Sequence, residues 1–293
     1  MSKLDRLGWV VCDWFEIEGY RFGVRTTSDA FGEWVRYGLG EYRVEGPEDE
    51  DQEPFWSVVV EDGSRGEGRL GKRFHIVYRG SWDVVRTLEV AAAARALLVE
   101  VEAIRFPLRD DAIFLEAGLV RSGDLSVLVP HTMVPGLARA GRRVQRANLQ
   151  PPGTMAVAID PDSGELVPIR SGLRLPDDLD ERLAEAFAPN GHDPRAFVDD
   201  ATRVDAILLY GGPLEERGIW QMPRAQALYQ LARSVRNLPQ LGGRAVRGLA
   251  QLLAGSQCLT ARWGTTEQML GTLAGIANHA YAESRSQVTR EGS

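Results

Sequence analysis

Four histidines, His75, His131, His192 and His279, are the side chains here best suited to proton transfer or metal binding. None stands at ligand spacing from another histidine or from a cysteine. A zinc centre needs closely spaced imidazole and thiolate ligands, so no metal site is expected. No GxSxG nucleophile elbow is present. The carboxylate pairs Asp110–Asp111 and Asp199–Asp200 fall at loop ends and read as solvated surface. Asp160 and Asp162 flank Pro161 in a turn, where aspartate is favoured because its side chain binds nearby backbone. That reading outweighs a metal-binding one. The clearest charge pattern is Arg139, Arg142, Arg143 and Arg146, spaced i, i+3, i+4 and i+7. On a helix those four share one face. The stripe is either an ordinary solvated surface or an anion-reading face for a carboxylate-rich peptide or partner protein.

Composition narrows the classes. The 293 residues are 44% hydrophobic and 26% charged, ordinary for a globular chain of about two domains. A net charge of -7 counts against gripping nucleic acid through bulk positive charge. Lys3 and Lys72 are the only lysines among the 34 basic residues, which leaves few candidates for a catalytic amine. Cys12 and Cys258 lie at opposite ends, so a disulfide framework is excluded and a reducing compartment fits. The opening apolar run is broken by Asp13, unlike a signal peptide. No uncharged apolar stretch reaches the roughly 18 residues of a membrane span. A soluble cytoplasmic protein with no membrane contact is expected.

The elements that would carry these residues follow from periodicity. FEIEGYRFGVRT alternates as two strands around Gly19. Ser28 is placed to cap a helix whose face holds Phe31, Trp34, Val35 and Leu39, with Gly40 to end it. The acidic run EGPEDEDQEP reads as a solvated loop, and WSVVVED and KRFHIVYRG as strands. A long helix is expected from Trp82 to about Glu102. Beyond it, IFLEAGLV and LSVLV form apolar runs around the turn RSGD, followed by a helix over Pro135–Asn148. MAVAID, the turn PDSG and ELVPI follow, then VDAILLY as a central strand. Three helices close the chain, the last capped by Thr265 or Thr266. The fold class is α/β: a small N-terminal α/β domain over 1–105, a mixed-sheet domain with C-terminal helices over 106–283, and a polar tail over 284–293. LSVLV, MAVAI and VDAILLY are expected side by side in one sheet.

The succession AIFLEAGLVRSGDLSVLVPHTMVPGLARAG, MAVAIDPDSGELVPI, VDAILLY, MPRAQALYQLARSV and ARWGTTEQMLGTL resembles the nucleotide-binding domain of HPr kinase and its relatives. These are P-loop kinases allied to phosphoenolpyruvate carboxykinase. Upstream, GYRFGVRT, WSVVVED and FHIVYRG resemble the amino-terminal portion of HPr-kinase-like proteins from peptide natural-product gene clusters. A P-loop needs GxxxxGK[ST]: glycines to wrap phosphate, lysine to reach it, a hydroxyl for Mg²⁺. Aligned on the strand LSVLV, His131 replaces the first glycine, Leu137 the lysine and Ala138 the hydroxyl; Gly136 alone survives. Pro135 also removes an N–H donor. Where the family has a pair of acids before a V-x-I strand, this chain has Thr154 and Met155, and Glu116 stands where relatives have histidine.

The resemblance therefore implies a degenerate P-loop that uses no cofactor and no metal. It points to a pseudokinase-like, non-catalytic protein that recognises the leader of a ribosomal precursor peptide, of the daptide type in its narrowest version. Such a protein would present the peptide to a modifying enzyme, docking it on the arginine helix or on an edge strand of the first domain. The alternative is an ATP-dependent kinase or nucleotide-binding enzyme with a relocated site.

Overall fold

The computed structural model describes residues 7–47, 52–61, 74–123, 125–140, 142–169, 171–187, 203–211 and 218–276. His192, His279, Asp199, Asp200 and the 284–293 tail lie outside them. The fold is α/β, and the chain divides into two compact units. The first comprises Met1–Arg105 and Arg170–Val198, the second Phe106–Ile169 and Asp199–Ser293. Residues Arg170–Val198 thus group with the first unit although the second has already begun in sequence.

In the first unit, β1 (Val11–Ile17), β2 (Tyr20–Thr26), β3 (Arg43–Val44), β4 (Trp56–Val59), β5 (His75–Arg79) and β6 (Trp82–Thr87) form one sheet. Their order is β3-β1-β2-β4-β5-β6. Glu18 and Gly19 both take positive φ (51° and 76°) between the paired Ile17 and Tyr20. That two-residue turn matches the right-handed twist of the strands it joins. Helix α1 (Asp29–Gly38) starts where the Ser28 hydroxyl accepts from the Phe31 N–H at 3.3 Å. It buries Phe31, Trp34 and Val35, and Leu39 just beyond its end, as the spacing predicts. Helix α2 (Val90–Glu102) is shorter than expected. Trp82–Thr87 is a strand, not helix: Gly80, at φ 57°, turns the chain so that Trp82 pairs back with Arg79. Val84 and Val85, β-branched and buried, favour that pleated surface over a helix.

The second unit holds two sheets. β7 (Ile113–Leu115), β10 (Val157–Ile159) and β11 (Leu166–Val167) form a three-stranded antiparallel sheet. β8 (Ala117–Ser122), β9 (Leu125–Pro130), β12 (Ala206–Tyr210), β13 (Ile219–Gln221) and β14 (Gln257–Ala261) form a five-stranded one, in the order β13-β14-β12-β9-β8. This corrects the expectation that MAVAI lies beside LSVLV and VDAILLY: β10 belongs to the small sheet. The apolar run IFLEAGLV splits at Glu116 and serves both sheets. β9, β12 and β14 are parallel, with β12 central as expected.

One face of the large sheet packs on α6 (Arg224–Ala232) and α8 (Gly243–Gly255), with the small sheet closing the same core around Ile113, Ile159, Ile207, Leu231 and Leu249. The other face packs on α3 (Val134–Ala140), α4 (Arg142–Arg146) and a helix over 266–276. That last helix is capped by the Thr265 hydroxyl, which accepts from the Gln268 N–H at 3.2 Å. α5 (Leu179–Ala186) belongs to the first unit, and α7 (Leu238–Leu241) links α6 to α8. In the β10–β11 turn the Asp160 carboxylate accepts from the N–H groups of Asp162 (2.8 Å) and Ser163 (2.7 Å). Those bonds hold its carboxyl below the usual carboxylate range. Asp160 is a turn former here, as its place beside Pro161 predicts.

Candidate functional site

In open α/β sheets, ligands gather at the carboxyl ends of the parallel strands. Here β9 ends at Pro130, passes through a single 3₁₀ turn, His131–Met133, and enters α3 at Val134. A phosphate cradle needs a loop whose N–H groups converge on one anion. This connection is instead wound into helix, where Gly136 sits within α3 and its Cα faces the Met269 side chain. Leu137, at the lysine's position, has no exposed surface and joins the core with Val127, Val129 and Met133. Ala138, at the hydroxyl's position, is buried as well. The acid-pair positions offer no more: the Thr154 hydroxyl donates to the Ala156 carbonyl at 2.7 Å, and Met155 is buried.

His131 and Glu116 do meet. Glu116 pairs with Arg236 at 2.6 Å, and its other carboxylate oxygen lies 4.0 Å from His131 Nδ1. The cavity beside them, lined by Glu116, Leu128, Ile207, Leu209, Leu231 and Ser234, measures about 20 Å³. That holds one water at most, whereas small-molecule sites run to several hundred Å³. Among the described residues, no group of three His, Cys, Asp or Glu could hold a metal ion. No described helix is long and apolar enough to cross a membrane.

The arginine stripe is partly matched by its own molecule. Arg139, Arg143 and Arg146 are exposed, while Val144 is buried and Ala140 and Ala147 pack on the sheet. Arg143 is paired with Glu267. Residue 141 and the Arg142 side chain lie outside the described set. In the first unit, the short β3 covers β1 only at Trp14 and Phe15. An open groove of about 650 Å³ lined by Cys12, Asp13, Trp14 and Arg43–Gly46 runs along that edge. Its buried carboxylate is already engaged: Asp13 accepts from Arg36 (2.7 Å) and Arg43 (2.8 Å). Partial desolvation against its neighbours, with the Asp13 charge beside it, pushes the thiol of exposed Cys12 up, away from the reactive thiolate.

A third surface lies on α6 and α8. From 217 to 266 the chain has seven arginines and no aspartate or glutamate. Its signal is a lack of acids across two helices, which the i, i+4 spacing of basic residues on one helix, as at 139–146, does not carry. A running count of acids would have found this stretch.

No family model, no curated protein and no solved structure matches the chain.

Proposed function

We propose that this is a non-catalytic peptide-recognition protein of ribosomal-peptide maturation, binding a precursor peptide and presenting it to modifying enzymes in the cytoplasm. The observation that carries the reading is Leu137, wholly buried where a phosphate-binding lysine would stand, in a helix that replaces the cradle. Phosphoryl transfer is almost entirely positioning plus charge neutralisation around the transferred group. A connection with a buried leucine at the lysine's position and a buried alanine at the hydroxyl's supplies neither. What the fold still offers is surface: an incompletely covered sheet edge and exposed guanidinium groups, the features that extended and acidic peptides use.

The test uses the full chain, ATP with Mg²⁺, and synthetic precursor peptides encoded beside its gene. A peptide retained as a complex in native mass spectrometry, with no phosphate added to it, supports the reading. Phosphate appearing on the peptide overturns it.

A further inference from the structure

We infer that the face formed by α6 and α8 is where an acidic stretch of that peptide docks, an inference that rests on the peptide-binding reading above. The first ground is charge. At the chain-wide density of 41 acids in 293 residues, about seven would fall between 217 and 266, and none does. A molecule of net charge -7 thus keeps one run of 50 residues free of carboxylates of its own. The second ground is which of these arginines are already matched. Arg236 is neutralised by Glu116 and Arg244 by Asp162. Arg224, Arg233 and Arg247 are exposed and face no carboxylate among the described residues.

The third ground is what lies among them. α6 and α8 pack against each other, and Arg224 at the start of α6 donates to the Ala254 carbonyl near the end of α8, so the two run antiparallel. Tyr229 and Val246 are exposed on these helices, and the Arg233 guanidinium lies 5.9 Å from the Tyr229 ring centre. An exposed aromatic ring beside a guanidinium group that no carboxylate neutralises suits a peptide that alternates carboxylates with apolar side chains. The β1 edge groove, with Asp13 and Glu45 offsetting Arg36 and Arg43, makes no such selection.

The probe is a fluorescein-labelled twelve-residue peptide alternating glutamate and leucine, read by anisotropy with the full chain at low salt. The triple variant R224Q/R233Q/R247Q weakens binding about tenfold, the scale of three exposed ion pairs together, and flattens its salt dependence. Its melting temperature stays within a few degrees of wild type, because all three side chains are exposed. The control R139Q/R146Q, on the opposite face of the sheet, leaves affinity within about twofold, and a lysine–leucine peptide does not bind. The inference is overturned if the triple variant binds as wild type does. It is overturned equally if a DNA duplex of about 20 base pairs binds as tightly as the glutamate peptide. A loss seen only in R139Q/R146Q also overturns it, by moving the site to α3 and α4 while peptide binding stands. Phosphorylation of a precursor peptide instead removes the reading beneath it.

Discussion

Putting the missing lysine back into the P-loop position should break the protein rather than repair a kinase. Leu137 has no exposed surface and packs among Val127, Val129, Met133 and Leu273. Removing a buried leucine costs about 3–5 kcal/mol when the site cannot collapse, and an ammonium forced into the same place adds desolvation. Lysine escapes part of that only by losing its proton or by straightening its stem toward water, which leaves the cavity unfilled. Leu137→Lys is therefore expected to cost about 3–5 kcal/mol. In a unit of this size that lowers the melting temperature by roughly 6–20 °C. Leu137→Met, which keeps volume, should cost less than about 1.5 kcal/mol. Scanning calorimetry of the three proteins, with and without ATP and Mg²⁺, reads both effects. If Leu137→Lys melts like the wild type and gains nucleotide binding, residue 137 faces a ligand site and the reasoning is wrong.

Gly164 sits at φ 74°, and a Cβ there would lie 2.5 Å from the Leu252 backbone nitrogen, so Gly164→Ala should lose more than about 2 kcal/mol by urea titration. Burial holds the His75 imidazole below its ordinary value of 6.5, which favours the neutral ring. The stability this gives is complete above about pH 6.5 and is lost as pH falls toward the folded value. The urea midpoint should drop between about pH 7 and pH 5, and less so in His75→Gln. Asp160 is shifted down by two N–H donors, so its stabilisation is present above the ordinary 3.8 and is lost as pH falls through the folded value. Acid titration by circular dichroism should show a shallower loss for Asp160→Asn, from a lower starting stability.

The parts legible in the sequence were those in which local chemistry and tertiary role agree. The Ile17–Tyr20 hairpin, the Ser28 cap and the Asp160 turn each rest on side chains that act within a few residues. Strand β6 was hidden because its turn, Gly80–Ser81, precedes an alanine-rich helix whose signal extends backward over Val84 and Val85. β14 is an interior strand spelled QCLTA, and only its parallel partner β12 and the antiparallel β13 make it one. The assignment of MAVAI to the wrong sheet has the same origin: both sheets bury similar apolar runs, and pairing between distant segments leaves no local mark. At the candidate site, the identities of His131, Gly136, Leu137 and Ala138 and the helix from Pro135 were readable, but the 3₁₀ turn His131–Met133 that leads into it was not. The α6–α8 face escaped because its signal is an absence spread over 50 residues.

The most direct test of the central claim is a calorimetric titration of the full chain with ATP and Mg²⁺. A helix in place of the cradle, with Leu137 in the core, predicts no heat of binding below the millimolar range. A micromolar binding curve that disappears when Gly136 is replaced would contradict it.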